Sequence, residues 1–171
     1  MSVFRVVVDK KVLDGLKRRM LKEYPEEHIE AIMGTIKYVK DVSCEEHTKV
    51  IYIHAFDKIE KLETGKSEIN YYTPDDSLEL GTKLKYLGTI HSHPDPQTSN
   101  VEPRRRCMCY SLDDVKSFRA KEDAKYPEII SDTIMGIVYV RKQKARKFFG
   151  VTFYNEDLKK IELVIAEDLK R

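Results

Sequence analysis

Pro25 separates two hydrophobic periods, and that change limits the chain's folding options more than any other feature. Before it, Val12, Leu13, Leu16, Met20 and Leu21 form one stripe between Lys11 and Tyr24, with Lys17, Arg18, Arg19 and Lys22 interspersed. That is the pattern of an amphipathic helix, and a proline ends it because the preceding residue resists helical geometry. After it, Glu27, Ile29, Ala31 and Met33 share one parity. Period two predicts a strand with those residues on one face. Glu26 and Glu30, on the other parity, are expected in solvent.

The remaining chain reads mostly as strands. Phe4–Val8 and Val50–Phe56 are β-branched or aromatic runs, and Thr35–Val39 continues the strand beyond Gly34. Lys58–Gly65 reads as irregular, and Tyr71–Lys83 as turns with a short helix. Leu84–His93 is an apolar strand ended by Pro94. Leu112–Lys125 is expected to be a helix. Thr133–Val140 and Lys147–Tyr154 are strands around a basic turn, and Ile161–Ile165 is a last strand. No repeat or linker interrupts the order. The expectation is an α/β (α+β) chain forming one domain over residues 1–171, with a mixed β-sheet flanked by helices.

Bulk properties exclude several functions. The 171 residues suit one core, and 41% hydrophobic with 35% charged residues is a globular composition. A formal net charge of +2 gives no reason to expect nucleic acid as the partner. No apolar run approaches the ~20 residues of a membrane helix. Three cysteines, an odd count, suggest a reducing, cytoplasmic setting.

The chemistry concentrates in "GTIHSHPDPQTSNVEPRRRCMCYSLDD", Gly88–Asp114. In a strand, His91 and His93 face the same side and can share one cation, and imidazole is a common zinc ligand. A hydrolytic site needs a third ligand and an open position. Ser111 and Asp114 form a Ser-x-x-Asp helix start. It reads as a capping box, which also holds the Asp114 carboxylate in a fixed direction. Glu27, beside a buried face, is the best candidate base. Cys44, His28, His47 and His54 are read as structural or surface residues. Two thiolates at Cys107 and Cys109 make no closed zinc site by themselves.

Taken together, "YPEEHIEAIMG", "GTIHSHPDP" and "SLDDVKSF" resemble the JAMM/MPN+ family of zinc-dependent isopeptidases, of a single-domain prokaryotic or archaeal type. The resemblance spans nearly the whole chain, and Glu27 stands seven positions before Gly34 as that family's pattern asks. It implies an MPN/JAMM (cytidine-deaminase-like) sheet flanked by helices and one Zn2+ per chain on His91, His93 and Asp114. It further implies Glu27 as general base and acid, and Ser111 as a hydrogen-bond donor to the oxyanion. The implied substrates are conjugates or precursors of ubiquitin, a ubiquitin-like protein or a sulfur-carrier protein.

One departure stands out. Sixteen residues, Asp95–Tyr110, separate Pro94 from Ser111, more than the family pattern has. An insertion at about residues 99–109 accounts for it. Lengthening a loop is thermodynamically cheap, about 0.6 kcal/mol per doubling. Arg104, Arg105, Arg106, Cys107 and Cys109 fall in it and are candidate substrate-loop residues. The competing reading is a catalytically silent MPN-fold scaffold whose insertion occludes the site. A barrel amidohydrolase is disfavoured, because that fold typically needs ~250 residues.

Overall fold

The computed structural model describes residues 3–40, 47–59, 61–64, 69–71, 84–94, 114, 133–143, 146–167 and 169. In chain order the elements are β1 (Val3–Asp9), α1 (Lys10–Glu23), β2 (Ile29–Lys40), β3 (His47–Lys58) and β4 (Lys61–Thr64). There follow β5 (Ile69–Tyr71), β6 (Lys85–Pro94), β7 (Ile134–Gln143), β8 (Arg146–Tyr154) and β9 (Lys160–Ala166). Among the described residues, no helix is long and apolar enough to cross a membrane.

Seven strands close into a barrel in the order β1-β3-β2-β6-β7-β8-β9, and β4 and β5 form a separate hairpin. This corrects the expected α/β sheet flanked by helices. Among the described residues there is one complete helix, α1, and Asp114 is also helical. Periodicity identified the strands, but closure depends on β1 pairing in parallel with both β3 and β9. That long-range pairing leaves no mark on local pattern. Lys61–Thr64 is strand where irregular chain was expected. The rest of the expected helix at Leu112–Lys125 lies outside the described residues.

The helix does not cover an outer face. Leu13, Leu16 and Met20 enter the same core as Val6 and Val8 of β1, Ile32 of β2, and Ile51 and Ile53 of β3. Ile90 of β6, Val138 of β7, Phe153 of β8 and Ile161 of β9 complete that core around them. Asp9 caps α1 by accepting from the Lys11 and Val12 amides, and Tyr24 N–H donates to Met20 O at its end. Smaller clusters lie on the opposite face of the sheet: Ile29, Ala31 and Met33 with Ile59 and Leu84, and Met135 and Ile137 with Tyr154.

Gly88 sets up the site-bearing strand. Its φ is +146°, and an added Cβ would lie 1.8 Å from the Ile134 carbonyl oxygen, so only glycine suits this position. The β2–β6 register shifts beside it, between Ile32/Gly88 and Met33/Tyr86. Such a bulge reverses side-chain parity. Leu87 and Ile90, three residues apart, therefore both reach the main core, and His91 and His93 are left on the other face.

Candidate metal centre

β6 runs antiparallel to β2, with His91 opposite Ile29, and parallel to β7, with His93 opposite Tyr139. Both histidines thus stand on the middle strand of three. Their Nε2 atoms are 2.9 Å apart. Asp114 reaches them from a distant part of the chain, with Oδ1 3.0 Å from His91 Nε2 and Oδ2 3.4 Å from His93 Nε2.

These three residues could hold a metal ion. Zinc bonds of ~2.0–2.1 Å in a tetrahedron place neighbouring donors about 3.3 Å apart. The two Nε2 atoms, 2.9 Å apart, are close to that edge, and one ligand atom from each of the three residues lies within 4.8 Å of the others. Two imidazoles and a carboxylate also suit a borderline-soft cation, leaving a fourth position for water or substrate. The residues fit zinc.

The residue after Glu27, His28, is joined to this centre by two hydrogen bonds with Ser92. Ser92 N–H donates to His28 O at 2.9 Å, and His28 N–H donates to Ser92 Oγ at 2.8 Å. The β2–β6 contact therefore continues past Ile29 to His28, and Glu27 stands just before it. Alternation carried beyond the strand would put Glu27 on the face of Ile29 and His91, and it is buried, 9% exposed.

Several neighbours were not anticipated. Glu30, expected in solvent, is 2% exposed. Its carboxylate accepts from Arg19 Nε and Nη2, both at 2.8 Å, and lies 2.5 Å from His28 Nε2. Burial pushes the Glu30 carboxyl up, but the hydrogen bonds from His28 and Arg19, with the charge of both, outweigh it and hold it below the ordinary carboxylate value. Strand parity predicted an outward Glu30, whereas both faces of this segment are covered. Arg19 sits on the polar side of the helical stripe, and no sequence signal distinguishes it from Lys17 or Arg18. Ser92 carries a sequence signal of its own: a small hydroxyl of opposite parity between two candidate ligands. His28 and His54 are buried, and His54 Nε2 lies 3.4 Å from Thr35 Oγ1. Ser111, Arg104, Arg105, Arg106, Cys107, Cys109 and Cys44 lie outside the described residues, as does the His47 side chain.

No family model matches the chain, and no curated protein matches it. Solved structures do resemble it. The solution structure of protein DSY2949 from Desulfitobacterium hafniense is 14% identical, with 96% of this chain and 95% of that one covered and a TM-score of 0.52. AF2198, a JAB1/MPN domain protein from Archaeoglobus fulgidus, is 15% identical, with 97% and 100% covered and a TM-score of 0.47. At such identity, the likeness to DSY2949 is one of fold alone.

Proposed function

We propose that this chain is a zinc-dependent metallopeptidase. It would hydrolyse isopeptide or peptide bonds after the C-terminus of ubiquitin, a ubiquitin-like protein or a sulfur-carrier protein, in a cytoplasmic setting. The observation that carries the reading is the convergence of His91, His93 and Asp114 beside a strand end pinned by Ser92. The sequence resemblance to the isopeptidase motif supplies the substrate class.

His91, His93 and Asp114 would hold the ion. When bound, zinc supplies Lewis acidity toward the scissile carbonyl and makes water easier to deprotonate. Glu27 would take a proton from the attacking water on its carboxylate and return it to the leaving amine, as a general base and then a general acid. Its burial keeps bulk water from competing for that proton. Ser111 would donate a hydrogen bond to the carbonyl oxygen as negative charge develops there. Arg104, Arg105, Arg106, Cys107 and Cys109 would contact substrate from the inserted segment.

The test pairs metal analysis with turnover. Wild-type protein is expected to carry one zinc and to cleave a ubiquitin-like fusion, with products identified by mass spectrometry. Glu27→Gln is expected to keep the zinc and to lose roughly 10²–10⁴-fold in rate. Full activity in that variant would remove Glu27 from the mechanism. A wild-type protein that binds its partner without zinc and without turnover would favour the scaffold reading.

A further inference from the structure

Every residue from Glu27 to Gly34 is buried. Burial on both faces removes the usual hydrophobic cue to register. Where one face meets water, a one-residue slip is penalised by exposing the apolar set. Here both faces are covered: Ile29, Ala31 and Met33 pack in one cluster and Ile32 in another. Hydrophobic alternation therefore discriminates weakly between registers. Yet a slip would carry Glu27 to the face opposite His91 and His93.

The polar groups of this segment supply the missing discrimination. Glu30 takes two hydrogen bonds from Arg19 on α1 and contacts the His28 ring. His28 is bonded through its own N–H and C=O to Ser92, which lies between the two candidate ligands. The connection is continuous from the helix through β2 to the metal centre. The Glu30 side chain is 3% exposed and that of Arg19 46%; charge pairs anchored on a buried segment can often be replaced by apolar residues without loss of stability, and their best-attested use is to fix register.

We propose that Arg19, Glu30 and His28 form a register lock. They are positioning residues that keep Glu27 on the metal-binding face at the His93 end of β6. In a slipped register Glu30 turns to the opposite face, away from Arg19, and the carboxylate loses its partners. The geometry of the lock stands alone; its consequence for chemistry rests on the metal-centre reading above.

The test is the double variant Arg19→Met/Glu30→Leu, which removes the charges and keeps the bulk. Three readouts apply: cross-strand NOEs between Ile29 and His91, amide exchange at His28 and Ser92, and Zn2+ affinity by competition with a chromogenic chelator. The expected result is a cooperatively folded protein with weakened NOEs. His28 and Ser92 should exchange at least about tenfold faster relative to other β2 and β6 amides, and Zn2+ should bind about 10–100-fold more weakly, as when outer-shell partners are lost. Wild-type NOEs and exchange ratios would overturn the lock. So would uniformly faster exchange with unchanged Zn2+ affinity, the signature of a stability role alone. If the double variant does not fold, Glu30→Gln decides: selective exchange at His28 and Ser92 supports the lock, and a wild-type pattern overturns it. A wild-type protein that binds no Zn2+ would remove the metal-centre reading, and the NOE and exchange data would still decide the register.

Discussion

Ser92→Ala isolates one hydrogen bond whose loss has a calculable effect. Ser92 is 1% exposed, and its Oγ accepts the His28 N–H at 2.8 Å in a buried setting. Alanine fits the same space but withdraws that acceptor, and so little exposure leaves scant room for water to replace it. Depriving a buried donor of its acceptor costs about 1–3 kcal/mol. For a domain of this size, about 2–4 °C of Tm accompanies each kcal/mol, so the melting temperature should fall by about 2–12 °C. The effect should be local as well as global, since the lost bond joins the Glu27-bearing strand end to β6. Calorimetry gives the first quantity, and amide exchange at His28 the second. A fall below about 1 °C with unchanged exchange at His28 would refute the reasoning, because the bond would then contribute nothing to holding β2 against β6.

Three further outcomes are expected. Asp114→Ala removes the candidate third ligand and should weaken Zn2+ binding beyond the ~10–100-fold typical of outer-shell changes; a titration showing wild-type affinity would place the third ligand elsewhere. Gly88→Ala drives a Cβ to 1.8 Å from the Ile134 carbonyl oxygen at a φ of +146°, and should destabilise by more than about 1 kcal/mol; an unchanged urea midpoint would contradict so close an approach of β6 to β7. Acid should expose Glu30. Its folded pKa is lowered from the ordinary 4.5, so its contribution is complete above that value and is lost as pH falls below 4.5 through the lowered folded pKa. Glu30→Gln should therefore show a shallower decline in stability below pH 4.5 in denaturant titrations, and an identical decline would show that Glu30 is not responsible.

Much of the local structure was legible in residue order. The stripe of Leu13, Leu16 and Met20 predicted a helix that is present and buried along that side. The spacing of His91 and His93 placed two imidazoles on one face of a strand, where they are found 2.9 Å apart at Nε2. Both inferences use only neighbours within a turn or two, for which side-chain direction follows from backbone geometry. Glu30 shows where that reasoning ends. Alternation assigned it a face correctly, but not the environment of that face, which α1 covers and Arg19 neutralises.

By itself, then, the sequence determined the long strands, the first helix and the pair of histidines on one strand face, because each follows from periodicity. Only the tertiary structure decided the rest. It closed the sheet through β1 and β9, buried Glu30 against the helix, and brought Asp114 to within hydrogen-bonding distance of His91. Those outcomes depend on segments far apart in sequence meeting at a particular register. Register is a property of paired strands, which no single strand encodes.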